Sequence, residues 1–307
     1  MKAAVVTGGT SFIGVALIHE LLSRGYQCYT IVRPNSPGKV LLPVSHEQLH
    51  VIDADLHDIT CWEPQIPSCQ LFFHLAWGGV GAEGRANPEI QEDNIQLSLQ
   101  CMEAAKRLGA KRFLFAGSQA EYGINDDYIT EKTPCVPVIE YGKAKRRFLS
   151  LGTEKAAQLQ MEYVHLRIFS VYGPHDHPWT LVCQCLQKFS NNERMALSSC
   201  TQKWNYVYVD DAAKAMGMMG ECPLLDQNPV YHIAGEDTRE LKAFVDTIWR
   251  MAGKRGSIGY GERGNTQEKP HGIDPSVERL IKATGWKQTI SFEEGIEKML
   301  QQGGAGR

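Results

Sequence analysis

The sequence predicts an α/β fold in which helices cover both faces of a doubly wound parallel sheet. Short apolar segments with the length of buried strands alternate with segments of helical spacing, an alternation that is typical of parallel sheets. The strand candidates are residues 2–6, 28–32, 49–53, 71–75, 111–116 and 162–167. The second observation is a glycine-rich turn between the first strand and the first helix. This helix is expected to end near Arg24.

The glycine-rich turn has the sequence Thr7-Gly8-Gly9-Thr10-Ser11-Phe12-Ile13-Gly14. Gly8 permits a tight turn, the small Ser11 lets the backbone approach a pyrophosphate, and Gly14 allows close packing of helix on strand. The N-terminus of the helix offers unpaired N–H groups to phosphate. Together, strand, turn and helix predict a Rossmann-type dinucleotide site.

The remaining elements follow the same alternation and then change. Helical spacing predicts one helix from about Pro88 to Leu108, with Gly109 as its C-terminal cap, and another from about Glu140 to Gln158. After Gly173-Pro174 the pattern loosens, with strands expected around 206–209 and 230–233 and a Gly- and charge-rich stretch at 253–272. We expect a smaller, discontinuous C-terminal lobe over the carboxyl edge of the sheet, where open α/β sheets bind ligands.

These patterns predict how the chain is divided into domains. Residues 1–170 are expected to form a dinucleotide-binding domain with a return segment at about 204–235. Residues 171–203 and 236–300 form the substrate lobe, and 301–307 a frayed tail.

Composition excludes several classes of protein. The 307 residues are 43% hydrophobic and 22% charged with a net charge of -3, which gives no reason to expect binding to nucleic acid or to an anionic membrane. No window has the run of apolar residues that a membrane span needs, and the first strand begins at once, so we expect a cytoplasmic protein without a signal peptide. Cys183-x-Cys185 near His175 lacks zinc-ligand spacing, and no metal is expected.

A candidate catalytic set combines a phenol, an ammonium and a hydroxyl. Tyr141 and Lys145 are four residues apart and share one helix face, and Ser118 follows the fifth strand. The three groups are expected to converge at the carboxyl edge of the sheet, where Lys145 would lower the pKa of Tyr141 and make it an acid or base. The alternative is a surface Tyr–Lys pair on an amphipathic helix.

With these motifs the chain resembles the extended short-chain dehydrogenase/reductase family of nucleotide-sugar epimerases, dehydratases and reductases over nearly its whole length. The motifs similar to those of the family are the turn Thr7–Gly14, with Ser11 in place of the middle glycine, Asp55-Leu56, His74-Leu75-Ala76, Asn94, Ser118, Tyr141, Lys145, Leu166 to Pro174 and Asn205 to Asp211.

The resemblance implies catalytic roles for Ser118, Tyr141 and Lys145, and a coenzyme site. The implied coenzyme residues are Gly8, Thr10, Ser11, Phe12, Ile13, Gly14, Arg33, Asp55, Leu56, Leu75, Ala76, Asn94, Tyr141, Lys145, Ile168 and Ser170. It also implies a homodimer, in which the helices of Asn94 and Tyr141 form a four-helix bundle with those of a partner. Phe148, Leu149 and Leu151 face either that partner or the sheet.

Three departures from the family pattern narrow the expected reaction, coenzyme and substrate. The Asp-Glu pair of the 4,6-dehydratases is replaced by Gln119 and Ala120, which argues against dehydration. Glu121, one residue further, is expected to be turned away by strand alternation as a wall residue, with acid/base work as the alternative. At the end of the second strand Arg33 stands where NAD enzymes carry a carboxylate, so NADP is expected over NAD.

The third departure lies at the diphosphate clamp of the family. Ser170 stands in place of the family's asparagine, and Trp204 stands in place of its arginine, with Lys203 beside it. Arg85, in the glycine-dotted loop from Trp77, could supply the missing charge. With Gln119 and Trp77, these residues are the substrate candidates. The glycines of the loop permit movement over substrate or simply form a flexible surface loop.

The expected function is NADPH-dependent reduction of a keto group on a nucleotide-linked, 4-keto-deoxy sugar. One alternative is a nucleotide-sugar 4-epimerase with bound NAD, which would use the same residues. Another is a non-catalytic NADP-binding sensor, against which the complete set of Ser118, Tyr141 and Lys145 argues.

Overall fold

The computed structural model describes residues 2–124, 128–263 and 272–301. The strands are β1 (Ala3–Thr7), β2 (Gln27–Val32), β3 (Leu49–Asp53), β4 (Leu71–His74), β5 (Arg112–Ser118), β6 (Tyr128–Ile129), β7 (Glu162–Ile168), β8 (Ser170–Tyr172), β9 (Arg194–Ala196), β10 (Lys203–Tyr208), β11 (Val230–Ile233), β12 (Thr238–Glu240), β13 (Ser257–Gly259) and β14 (Asp274–Pro275).

The helices alternate with these strands in the first half and cluster in the second. They are α1 (Phe12–Ser23), α2 (Ile59–Trp62), α3 (Ala82–Ala86), α4 (Pro88–Arg107), α5 (Glu140–Gln158), α6 (Leu181–Ser190), α7 (Val209–Glu221), α8 (Leu241–Met251), α9 (Glu278–Thr284) and α10 (Phe292–Gln301). Short 3₁₀ turns occur at Pro37–Leu41, Glu63–Gln65 and Gln119–Glu121.

The central sheet confirms the predicted doubly wound topology. Seven parallel strands lie in the order β3-β2-β1-β4-β5-β7-β11. The chain reverses its direction of travel across the sheet between β1 and β4, and the carboxyl ends of these two strands form the crevice in which such sheets bind ligands. All six strand candidates in the first half of the sequence are members of this sheet.

Both faces of the sheet are covered, which is why its strands are apolar without alternation. Along β1, Ala4 and Val6 pack into a core with α1 and α7, whereas Ala3 and Val5 pack into a core with α4 and α5. Phe148 of α5 belongs to the second core, with its ring centroid 4.2 Å from that of Phe115.

This burial settles the orientation of Phe148. The side chain is fully buried and faces the sheet, so the alternative that it faces a partner chain is wrong. Leu149 and Leu151 are half-buried against the same core. The homodimer stays a prediction.

A smaller lobe is built from chain segments on either side of α7 and β11. Its sheet has the order β12-β10-β8, and its core packs Tyr172, Phe189, Phe244 and Phe292 between α6, α8 and α10. Because β8 directly follows β7, this lobe begins at the carboxyl edge of the central sheet. Of the two strands expected in 204–235, β11 joins the central sheet and β10 joins the small one.

Some expectations fall on residues beyond the described part. The frayed tail lies outside it except for Gln301, and so do residues 264–271 of the Gly- and charge-rich stretch. The domain boundaries stay predictions. None of the helices in the three described ranges has both the length and the apolar character needed to cross a membrane.

Truncating Phe148 tests the packing of α5 on the sheet. Phe148→Ala should lower the free energy of unfolding by about 3–5 kcal/mol, because a buried ring is lost and a cavity remains. Leu149→Ala, one residue along and half-buried, is the control and should cost clearly less. Denaturant unfolding of both variants measures the difference, and equal losses would show that Phe148 is not the anchor of this helix.

Candidate active site

Two glycines of the turn at the end of β1 stand where a side chain would clash with the backbone. Gly8 has φ +72°, and a Cβ on it would lie 2.8 Å from the backbone nitrogen of Ala76. A Cβ on Gly14 would lie 2.2 Å from the carbonyl oxygen of Gly8. The turn therefore forms a bare backbone cradle at the start of α1, which fits a dinucleotide phosphate.

Ser11 fits this turn without the freedom of glycine. Its φ of −73° and ψ of 160° are open to any residue. Its hydroxyl donates to the Gly8 carbonyl at 2.7 Å and accepts from the Gly14 N–H at 3.1 Å. The serine therefore caps α1, which explains why the middle glycine of the family is dispensable here.

The segment after β2 covers the turn from the side. The Ser36 hydroxyl donates to that of Thr10 at 3.1 Å, and Lys39 pairs with Asp53 at 2.6 Å. The Arg33 side chain is exposed, and its guanidinium makes no hydrogen bond or ion pair within the described ranges. The strand end thus presents a cation in place of a carboxylate.

Asp55 and Leu56, the expected adenine contacts, lie on the next loop. The Asp55 carboxylate accepts from the backbone N–H and the ring of His57, and these bonds, with a smaller contribution from Arg33, hold the pKa of Asp55 below its usual value. Leu56 packs with its side chain on the sheet core. The Asp55 carboxylate is therefore already engaged within the chain.

The motif after β4 is tied down by buried hydrogen bonds. His74 contacts the hydroxyls of Thr7 at 2.8 Å and Ser98 at 2.9 Å, and burial lowers its pKa to about 3. Asn94 accepts from the N–H of Gly78 at 2.6 Å and donates to its carbonyl at 3.0 Å. A further bond to the Ile90 carbonyl uses the rest of the amide, so Asn94 acts on the coenzyme site by holding this loop.

The loop from Trp77 to Arg85 is held in place by α4. Gln91 accepts from the Trp77 indole at 2.8 Å and donates to the Gly84 carbonyl at 2.9 Å. A Cβ on Gly84 would lie 2.4 Å from the Gly79 Cα. These glycines therefore permit close packing of the loop on itself.

Ser118, Tyr141 and Lys145 converge as the sequence predicts. They line one cleft of about 650 Å³, together with Ser11 and Ile13 of the glycine turn. Ser118 is the last residue of β5, and its hydroxyl lies close enough to the phenol of Tyr141 to lower the pKa of that phenol. The Lys145 ammonium donates to the Ala116 carbonyl at 2.7 Å. Of the other predicted coenzyme residues, the cleft is also lined by Phe12, Leu75, Ile168 and Ser170.

The pKa of Tyr141 shifts in the direction opposite to the expectation. Burial raises the pKa of Tyr141, and the nearby Ser118 hydroxyl and the charge of Arg85 oppose that rise. Lys145 does not lower it: the ammonium sits over the Trp77 ring, 3.7 Å from its centroid, and burial lowers the pKa of Lys145 well below its usual value. The expected effect of Lys145 on the phenol is therefore wrong, because the helix turns its ammonium toward β5.

Arg85 lies at the reacting end of the cleft. Its guanidinium carbon is 4.3 Å from the centroid of the Tyr141 ring. Within the described residues this ring is the one partner found for the Arg85 guanidinium. A free cation beside the phenol favours its ionised form.

The substrate candidates divide into two groups. Trp77, Arg85, Gln119, Ser170 and Trp204 line the cleft. Lys203 is largely exposed and pairs with Asp274 at 2.6 Å, so it is not brought to the site. The Gln119 Oε1 and Trp204 Nε1 atoms are buried without a hydrogen-bond partner in the described structure and are available to a ligand.

Sequence reasoning missed the carboxylate of Asp176 in the cleft. It accepts from the Thr180 hydroxyl at 2.9 Å, and burial raises the pKa of Asp176. The only signal is its place just after the Gly173-Pro174 motif. Within the described residues, no three His, Cys, Asp or Glu side chains lie together in a way that could hold a metal ion.

Glu121 is turned away from the cleft, as the sequence predicts, but strand alternation is not the cause. The 3₁₀ turn Gln119–Glu121 ends the strand alternation at Ser118, so the side chain enters the interior. Glu121 is fully buried and contacts His165 and Arg167.

Known proteins are similar to this chain in sequence over nearly its whole length. The sequence profile described as the NAD dependent epimerase/dehydratase family matches residues 4–234. A dTDP-4-dehydro-6-deoxyglucose reductase of Escherichia coli is 24% identical over 318 residues, which cover 98% of this chain and 97% of the relative. A CDP-abequose synthase of Salmonella muenchen is 23% identical and covers 97% of both chains.

A solved structure shares the fold over the same extent. The UDP-glucose 4-epimerase of Thermotoga maritima, solved with UDP-glucose, superimposes with a TM-score of 0.83 at 22% identity and covers 97% of each chain. Identity this low shows the fold alone, whereas the profile covers most of the chain and includes the glycine turn, Ser118, Tyr141 and Lys145. The chain therefore belongs to the NAD-dependent epimerase/dehydratase family, as an NAD(P)-dependent oxidoreductase or epimerase of the extended short-chain dehydrogenase/reductase type.

Proposed function

We propose that this protein reduces a keto group of a nucleoside-diphosphate sugar with NADPH, the sugar being a 4-keto-deoxy hexose. The observation that carries the proposal is the gathering of Ser118, Tyr141 and Lys145 in the cleft onto which the glycine turn opens. Two relatives, a dTDP-4-dehydro-6-deoxyglucose reductase and a CDP-abequose synthase, support a reductive reaction on such a sugar.

When bound, the coenzyme supplies the hydride. The residues of the cleft bind and protonate the oxygen of the keto group. Tyr141 donates its phenolic proton to the developing alkoxide, and the Ser118 hydroxyl binds the same oxygen. Because burial raises the pKa of Tyr141, the phenol is protonated at neutral pH and ready to act as an acid. Lys145 would hold the coenzyme ribose.

Arg85 and Ser118 stabilise the tyrosine after the proton has left. The phenolate that forms on Tyr141 lies under the Arg85 guanidinium, and the nearby Ser118 hydroxyl also favours the ionised form. Without these two influences, a buried phenolate would be strongly disfavoured. This position of Arg85 supports a role beside the acid, and the diphosphate contact expected from the sequence stays a prediction.

The choice of NADP over NAD depends on Arg33. NAD enzymes of this fold place a carboxylate on the ribose hydroxyls at the end of the second strand, and an arginine there suits a 2′-phosphate. Arg33 is exposed at that place, with Ser36 and Thr10 beside the cradle. A phosphate would provide the anion that the guanidinium lacks.

A panel of nucleoside-diphosphate keto sugars tests the proposed reaction. Each sugar is incubated with the protein and NADPH, and the absorbance of the reduced coenzyme is followed. We expect stoichiometric NADPH consumption with a 4-keto-deoxy sugar. Sugar interconversion by protein that purifies with bound coenzyme and needs no added nucleotide would instead show the 4-epimerase.

Removing the phenolic hydroxyl tests the acid. Tyr141→Phe should lower kcat by about 10²–10⁴-fold, the usual contribution of a positioned proton donor, while NADPH binding stays close to that of the wild type. Tyr128→Phe, at an exposed position, is the control. Activity of Tyr141→Phe within a few-fold of wild type would exclude the phenol as the acid.

Reversing the charge at Arg33 tests the coenzyme. Arg33→Asp should weaken NADPH binding by about 10- to 150-fold, because a hydrogen-bonded charge contributes about 1.5–3 kcal/mol. NADH binding should change much less. Arg255→Asp is a matched control at another exposed arginine. Binding is measured by coenzyme fluorescence, and equal losses for both coenzymes would show that Arg33 does not meet a phosphate.

Removing Arg85 tests its effect on the phenol. Arg85 lowers the pKa of Tyr141, so Arg85→Ala should raise it further. Reduction needs the protonated phenol, and activity is lost as pH rises through this pKa, so the alkaline limb of kcat should move to higher pH. Arg85→Lys keeps the charge and should move the limb less. An alkaline limb unmoved in Arg85→Ala would contradict this role.

A further inference from the structure

A buried carboxylate lies directly behind the Ser118 end of the cleft. Glu121 has no exposed surface and ends the 3₁₀ turn that follows β5. Its Oε1 accepts from the backbone N–H of Ser118 at 2.9 Å, while the Ser118 hydroxyl accepts from the Ala120 N–H at 3.2 Å. This reciprocal capping box fixes the backbone of Ser118 and, with it, the direction of its hydroxyl.

Glu121 is kept ionised by its neighbours. Burial alone would raise its pKa, but the hydrogen bonds from His165 and the Ser118 N–H, with the charge of Arg167, outweigh burial and hold the pKa of Glu121 below its usual value. Arg167 donates to Oε2 at 2.8 Å and is itself almost fully buried. The pair is therefore a compensated charge pair inside the protein, set between Ser118 and the neighbouring strand β7.

His165 completes the pair as a neutral ring. Burial lowers the pKa of His165, so one ring nitrogen carries the only proton. Nε2 lies 2.8 Å from the Glu121 carboxylate and donates to it, and Nδ1 accepts from the Tyr163 hydroxyl at 2.7 Å. The orientation of the carboxylate is thereby fixed from two sides.

The strand end is shaped to admit this contact. A Cβ on Gly117 would lie 2.5 Å from His165 Nε2 and 2.7 Å from Glu121 Oε1. The hydrogen bond between His165 and Glu121 thus runs across the bare Cα of Gly117. No other residue would let the carboxylate reach the Ser118 N–H in this geometry.

The charge of Glu121 also reaches the two other groups of the site. Among the influences on Lys145 and Tyr141, the negative charge of Glu121 raises the pKa of each. It therefore favours an ammonium at Lys145 and a protonated phenol at Tyr141. Arg85, on the cleft side, acts in the opposite direction on both.

The network continues into the C-terminal segment. Arg167 donates to the Tyr122 hydroxyl at 2.7 Å, which in turn contacts His232 Nε2 at 2.5 Å. His232 Nδ1 donates to the Ser276 carbonyl at 2.8 Å. Buried hydrogen bonds thus connect Glu121 to β11 and to the segment after β14.

We propose that Glu121 is a positioning residue of the active site: its carboxylate, oriented by His165 and Arg167, fixes the Ser118 hydroxyl and sets the field at Lys145 and Tyr141. This inference rests on the proposed function for its effect on turnover. Its effect on the coenzyme site holds for any NAD(P)-dependent reaction of these residues.

The test removes the charge pair as a unit. Glu121→Leu with Arg167→Met leaves no unpaired buried charge, so the double variant should fold. Glu162→Gln is the control, because Glu162 pairs with Arg112 between the same two strands at the opposite edge of the sheet. Each variant is examined by thermal unfolding, by kcat and KM across pH, and by the pH dependence of NADPH binding without sugar.

We expect the double variant to lose about 10- to 100-fold in kcat with KM nearly unchanged, as for a misplaced catalytic group. The alkaline limb should move to lower pH, opposite to the shift in Arg85→Ala, and the pH at which NADPH binding weakens should fall with it. The control should show none of these changes. A folded double variant with wild-type kcat and pH dependence would overturn the proposal.

His165→Gln provides the second variant should the double variant not fold. It loses only a neutral ring, so a smaller loss of kcat with KM unchanged supports positioning, and wild-type kcat overturns it. If the wild type itself turns over no sugar of the panel, the proposed reaction fails. The pH dependence of NADPH binding then decides the role of Glu121 by itself.

Discussion

The site depends on how closely α5 approaches the end of β5. A Cβ on Gly142 would lie 2.4 Å from the Ala120 carbonyl oxygen, so the first turn of α5 rests directly on the turn after Ser118. Further along, Phe148 packs on Phe115 of β5 and fixes the rotation of the helix. Glycine at one point and a buried ring at another bring Tyr141 to Ser118, although the two residues are 23 positions apart in the sequence.

The electrostatics of the phenol follow from this packing. Burial at the start of α5 keeps Tyr141 protonated, Glu121 behind the strand end reinforces that state, and Arg85 on the cleft side opposes it. Proton donation needs a phenol that is protonated before the reaction and not too costly to ionise during it. A buried anion on one side and a cleft-facing cation on the other meet both needs.

Sequence periodicity was sufficient for the framework. Strands buried on both faces leave continuous apolar runs, and the glycine turn is constrained by close contacts within a few residues, so both are predictable from local sequence. The positions of Ser118, Tyr141 and Lys145 followed from parallel strands ending at one edge. What local patterns did not contain were the contacts of two side chains: the ammonium of Lys145 points to Ala116, and a 3₁₀ turn instead of strand alternation turns Glu121 away from the cleft. Such directions depend on contacts with distant segments, here β7 and the loop of Arg85, which no local pattern contains.

The most direct test of the account follows a labelled hydrogen. NADPH carrying deuterium at C4 of the nicotinamide is incubated with the protein and a nucleoside-diphosphate 4-keto-deoxy sugar, and the product is analysed by mass spectrometry and NMR. The account predicts one deuterium at the former keto carbon, with one equivalent of coenzyme oxidised. A product without deuterium, formed while the added coenzyme stays reduced, would contradict it.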